Sequence, residues 1–138
     1  MGRIVAIDYG TKRVGLAVTD PLQIIATGLT TVHSSELLDY LDDYCSREQV
    51  ECIVIGEPRR MNNEPSAVEA QIAPLVTHLG RRFPNVKIDR ADERFTSKLA
   101  VQSMLDAGLK KKDRQRKELV DKASATILLQ SYLEQKTR

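Results

Sequence analysis

The run Cys52-Ile53-Val54-Ile55-Gly56 constrains the fold of this chain more than any other segment. It has no polar residue and no alternation, so as a strand it has no face to offer to water. Such a strand belongs inside a sheet that is covered on both sides. The segments around it supply the cover. Before it, Leu37, Leu38, Leu41, Tyr44 and Cys45 recur at helical spacing behind Ser34-Ser35, a suitable pair for a helix N-cap, with the acids on the opposite face. After it, Val68, Ile72, Leu75, Val76, Leu79 and Phe83 mark a second helix, which Pro74 is expected to kink or split.

The first third of the chain has a different period. Arg3 to Asp8, Arg13 to Thr19 and Ala26 to Val32 read as strands joined by short, turn-like connections, which favours an antiparallel meander. Val86 to Asp89 is a further short strand. A third helix is expected from Thr96 to a stop at Gly108, and a last one carries Leu119, Val120, Ala123, Ile127, Leu128 and Leu133. Meander, then helix–strand–helix–strand, then helices, describes one mixed α/β domain spanning residues 1–138. No internal repeat or linker divides it.

Composition narrows the function by exclusion. No stretch approaches the roughly 18 consecutive apolar residues of a membrane span, and the first apolar run stops at Asp8 without a signal layout, so a cytoplasmic protein is expected. Cys45 and Cys52 are too few for a disulfide framework and too isolated for structural zinc, and are expected as buried free thiols. The net charge of +2 hides an uneven distribution. Acids dominate Glu36 to Glu51, whereas Arg94, Lys98, Lys110, Lys111, Lys112, Arg114, Arg116 and Lys117 face only Asp106 and Asp113. A basic region of this kind suggests an anionic partner.

Three acids are candidates for one site. In α/β sheets, ligands collect beyond the carboxyl ends of the strands. Asp8 ends the first strand and Glu93 lies just past the strand at Val86 to Asp89. Asp121 shares a helix face with Ala125, Leu128 and Tyr132, a small and apolar face that should turn it toward the sheet edge. Crowded carboxylates repel one another, and a hard cation such as Mg²⁺ or Mn²⁺ relieves that cost. Two such ions clamp a phosphodiester for hydrolysis without histidine or cysteine. Taken singly, each acid has a plainer reading, as turn former, surface ion pair or helix-dipole partner.

The segment DYGTKRVG from Asp8 to Gly15, the segment DERFTS from Asp92 to Ser97, and the block Asp121-Lys122-Ala123-Ser124-Ala125-Thr126-Ile127-Leu128-Leu129-Gln130 resemble, in order and spacing, three motifs of the bacterial YqgF family, also called RuvX. That family comprises Holliday-junction resolvases and pre-16S rRNA maturation nucleases. The resemblance implies an RNase H-like fold, with a five-stranded mixed sheet of three antiparallel and two parallel strands flanked by helices. It implies that Asp8, Glu93 and Asp121 are catalytic metal ligands, and that Arg13 contacts substrate phosphate or braces the acids. Arg94, Lys98, Lys110, Lys111, Lys112 and Arg114 are the expected nucleic-acid contacts, with rRNA precursor or branched DNA as substrate and a monomer or weak homodimer as the working form. One stretch departs from the family: where relatives carry GLP and a loop with its own glycine, this chain has Glu57-Pro58-Arg59-Arg60 and Asn62-Asn63-Glu64.

Two other classes compete. An actin-like or sugar-kinase-like phosphotransferase also opens with DxGT on a hairpin, but needs a second domain and further glycine-rich motifs. A non-catalytic ribosome-assembly factor would use the same basic stretch, yet would have no need of acids that repel phosphate.

Overall fold

The computed structural model describes residues 2–57, 68–92 and 117–136. Within them five strands form one sheet: β1 (Arg3–Tyr9), β2 (Arg13–Thr19), β3 (Ala26–His33), β4 (Val50–Glu57) and β5 (Lys87–Asp92). The order across the sheet is β3-β2-β1-β4-β5. The first three strands pair antiparallel, and β4 and β5 add in parallel beyond β1. This is the mixed sheet of three antiparallel and two parallel strands that the family resemblance implies. A 3₁₀ turn (Ser34–Glu36) leads into α1 (Leu37–Arg47); α2 (Glu69–Arg82) connects to β5, and α3 (Lys117–Lys136) comes last.

Strand alternation sorts the core into two layers. On one face Val5, Ile7, Val14, Leu16, Ile53 and Ile55 pack with Leu37, Leu41 and Tyr44 of α1 and with Ile72 and Leu79 of α2. On the other, Ile4, Ala6, Ala17, Cys52 and Val54 meet Ala125, Leu128, Leu129 and Tyr132 of α3. β4 therefore loses both faces to helices, which is why its sequence is uninterruptedly apolar. The two layers differ: Ile, Leu and Val dominate the α1–α2 face, while the α3 face mixes Ile4, Val54, Leu128 and Leu129 with the small Ala6, Ala17 and Ala125, which let that helix come close.

Several boundaries differ from the sequence reading. Pro74 does not split α2. The backbone bond it removes would have ended on Ala70, which is exposed, so water can take that carbonyl. The expected caps of α1, Ser34 and Ser35, are otherwise engaged: Ser34 donates to the Thr11 carbonyl and the Ser35 hydroxyl meets His33 Nδ1. His33 caps the 3₁₀ turn instead, accepting from the Ser35 N–H. β5 runs on to Asp92, past the expected end at Asp89. The extension is held by Arg90, which donates to the carbonyls of Ile55 (3.2 Å) and Gly56 (3.1 Å) and forks onto Glu69 of α2 (3.0 and 2.7 Å). Glu57, one residue past the expected buried run Cys52 to Gly56, ends β4 opposite Asp92, and alternation turns it to the α1–α2 face. The expected helix from Thr96 to Gly108 and the segment from Pro58 to Glu64 that departs from the family lie outside the described residues. Cys52 is buried and Cys45 half-buried, both as free thiols.

One polar contact pins α3 to the sheet at its far end. The Tyr132 hydroxyl donates to Asp89 Oδ2 at 2.7 Å. Burial pushes the Asp89 carboxyl up, but the Tyr132 hydroxyl, the Arg90 N–H and the Lys87 ammonium outweigh it and hold the group below its ordinary value. A depressed carboxylate stabilises the fold above the unfolded pKa of about 3.9, and that contribution disappears as pH falls through the folded value. Tyr132→Phe should therefore cost on the order of 1 kcal/mol at pH 7, with the deficit narrowing below about pH 4. Urea unfolding of both proteins at pH 7 and pH 3 measures it; a deficit of equal size at both would contradict this account.

Candidate active site

The turn between β1 and β2 sets the geometry of the site. Gly10 donates its N–H to the Arg13 carbonyl at 2.9 Å, closing the turn, and the register that follows pairs Tyr9 with Val14 and Asp8 with Gly15. Asp8 continues the alternating set Ile4, Ala6, which faces α3, whereas Tyr9 packs with the opposite layer. The Asp8 carboxylate thus emerges on the α3 side, half-buried, where β1 runs out.

Gly15 is the place where α3 touches down. A Cβ there would collide with the carbonyl of Asp121 and lie 3.1 Å from the Lys122 nitrogen. The helix backbone rests directly on β2, one strand over from Asp8. Gly28 on β3 makes a second notch, filled by the Lys122 stem, with Cγ 2.8 Å from where a Cβ would stand. These two glycines set the height of α3 and deliver Asp121 beside the strand position that faces Asp8.

Arg13 fixes the rotamer of Asp121. Two residues before Gly15 and on the same face of β2, it donates from Nε to Asp121 Oδ2 at 3.0 Å. Both side chains are largely shielded, with relative exposures of 32% and 25%, so the charge-assisted bond is less screened than a surface pair. Of the two roles expected for Arg13, the observed contact is the brace.

The structure brings Asp8, Arg13 and Asp121 to one rim. Glu93 is the residue after the end of β5, which stops level with the end of β4, but Glu93 itself lies outside the described residues. So do Arg94, Lys98, Lys110, Lys111, Lys112 and Arg114. Among the described residues no three His, Cys, Asp or Glu side chains form a metal-holding group. The donor set that Asp8 and Asp121 offer is carboxylate oxygen only, which suits a hard divalent cation and not a soft one. Sequence reasoning missed Gly15, although the signal was available: a closed four-residue turn centred between Tyr9 and Val14 places Asp8 opposite Gly15.

Known proteins resemble this chain over nearly its whole length. The model of the RuvX family, described as Holliday junction resolvase, matches residues 2–135. A protein of Flavobacterium johnsoniae is 56% identical over 136 residues, 99% of each chain, and one of Bacteroides fragilis is 60% identical over 136 residues, again 99% of each. The names of both propose a pre-16S rRNA nuclease. Among solved structures, T. thermophilus RuvC in complex with a Holliday junction substrate superposes with a TM-score of 0.55 at 17% identity, over 99% of this chain and 98% of that one. At that identity the likeness speaks for the fold.

The contact at Gly15 predicts a specific sensitivity. Gly15→Ala inserts a methyl group where α3 backbone lies, and backbone cannot rotate aside as a side chain would. It should cost about 1–3 kcal/mol or more in urea unfolding. A variant as stable as wild type would mean that α3 does not seat there.

Proposed function

The chain belongs to the RuvX family, and from that premise we propose that it is a metal-dependent nuclease acting on phosphodiester bonds of pre-16S rRNA, of Holliday junctions, or of both. The observation that carries the reading is the delivery of Asp8 and Asp121 to one rim by unconnected elements, with the Asp121 backbone resting on Gly15, the strand partner of Asp8. An acid pair at such a rim repels phosphate. It makes sense at a phosphate-handling site only with a cation to offset it.

Asp8 and Asp121 would hold Mg²⁺ or Mn²⁺, with Glu93 as the third carboxylate. When bound, the ion supplies a polarised water and neutralises charge on the phosphoryl oxygens. The protein's own part is orientation. The β1–β2 turn sets Asp8, the seating of α3 sets Asp121, and Arg13 keeps the Asp121 carboxylate in one rotamer before any ion arrives, which lowers the ordering cost of binding it. Backbone contact by Arg94, Lys98, Lys110, Lys111, Lys112 and Arg114 would bring the substrate in, with strong salt dependence and weak sequence preference. No described helix is long and apolar enough to cross a membrane.

The test is cleavage of four-way junction DNA, linear duplex, single-stranded RNA and a 5′-extended 16S precursor, with Mg²⁺ or Mn²⁺. Asp8→Asn and Asp121→Asn should each lose at least about 100-fold in rate, since even the partners of metal ligands cost 10–100-fold. Wild type should also gain thermal stability with Mn²⁺, about 1.4 kcal/mol at ten times Kd, and Asp8→Asn should gain far less. Binding without metal-dependent cleavage by wild type on all four substrates would favour a ribosome-assembly factor without nuclease activity.

A further inference from the structure

We propose that Lys12 and His33 form a phosphate-binding subsite for the nucleotide next to the one being cut, on the β3 side of the acids. The inference rests on the nuclease reading of the rim. Register places His33, and the turn that holds the Lys12 carbonyl on the Ser34 N–H places Lys12. Arg13 pairs with His33 as Asp8 pairs with Gly15 and Gly15 with Thr31, so His33 stands on the face that carries Asp8 and Asp121. It lies two strands across and two residues further along the rim. From strand spacing and rise that separates it from Asp8 by about 12 Å, too far to share the phosphate the acids handle and suited to a neighbouring one. Lys12 precedes Arg13 in the turn, between the acids and His33.

The corner that presents them is tied together. Ser34 donates its N–H to the Lys12 carbonyl at 2.9 Å and its hydroxyl to the Thr11 carbonyl at 3.0 Å, so the start of the 3₁₀ turn is bonded to the β1–β2 turn. Among the described residues the Lys12 ammonium and one nitrogen of His33 are not engaged internally. The Lys12 ammonium is exposed and has no partner among the described residues. His33 is committed at one nitrogen only. Nδ1 sits 3.1 Å from the Ser35 N–H, and since a backbone N–H can only donate, Nδ1 must accept. In the neutral ring the proton is then on Nε2, which has no partner among the described residues. The cap thus sets the tautomer, and the outward nitrogen is a fixed N–H donor, the kind of group that holds a phosphate oxygen without carrying charge. Arg13, already engaged by Asp121, is not available for this task. Lys12 supplies the charge and His33 the direction.

The two residues should leave different signatures. Binding is measured by titrating fluorescent four-way junction DNA and 5′-extended 16S precursor RNA with the full chain carrying Asp8→Asn, which prevents depletion of the probe, over a range of salt. Lys12→Ala should weaken binding and reduce the slope of log K against log salt by about 0.7–0.9, the value of one phosphate contact. His33→Asn keeps a good helix cap but is too short to present the outer donor. It should bind about fivefold or more weakly at an unchanged salt slope and an unchanged melting temperature. Both variants binding like their parent, with its slope, would overturn the proposal. A loss of affinity in His33→Asn that is matched by a loss of melting temperature would reduce His33 to a cap and overturn its part. Absence of cleavage by the otherwise unmodified chain would count against the nuclease reading alone, because these titrations do not depend on cleavage.

Discussion

The helix α3 can lie on β2 only because Gly15 has no side chain to hold it off, and the acidic rim is a consequence of that approach. Asp121 belongs to a helix that begins far from β1 in sequence. What brings it over the strand position paired with Asp8 is backbone contact at Gly15, supported by the Lys122 stem on Gly28 and by the Arg13 bond. A larger residue at either glycine would raise the helix and carry Asp121 away from the rim. The site is thus made by packing, and its precision is that of a close-packed interior.

The division of the core between the two faces follows from the same requirement. The α1–α2 layer is built of Ile, Leu and Val and bears most of the apolar burial. The α3 layer uses Ala6, Ala17, Ser124 and Ala125, which bury less surface per residue but bring backbones together. The Tyr132–Asp89 bond restores some attachment at the end of α3 away from the acids. One face of the sheet carries α1 and α2, and the other carries α3 together with the candidate site. Arg90 serves the rim from behind, holding the ends of β4 and β5 where the chain departs toward Glu93.

How much of this could be read from the sequence depends on what holds each piece. The buried strand, the meander and the inner faces of α1 and α2 are written in local periodicity and are found where the period puts them, whereas α3 buries Ala125, Leu128, Leu129 and Tyr132 and leaves Ala123, Ile127 and Leu133 half-buried. Asp8 and Asp121 were legible because a strand end and an apolar helix face both point to a rim. The last residues of β5 were not, since Asp89-Arg90-Ala91-Asp92 has no apolar alternation and owes its extension to pairing with β4 and to the reach of Arg90. Nor was the cap before α1, because which of His33, Ser34 and Ser35 takes the role depends on the turn that Ser34 is bonded to. The depth of α3 over Gly15 is a tertiary quantity, visible in the sequence only as a glycine where a β-branched residue would suit a strand better.

The most direct measurement of the central claim is a crystal of this protein grown or soaked with Mn²⁺ and mapped by anomalous scattering. The account predicts density for manganese between the carboxylates of Asp8 and Asp121, with α3 seated on Gly15 and Arg13 still on Asp121. Manganese bound elsewhere, or none there with the two carboxylates directed apart, would contradict it.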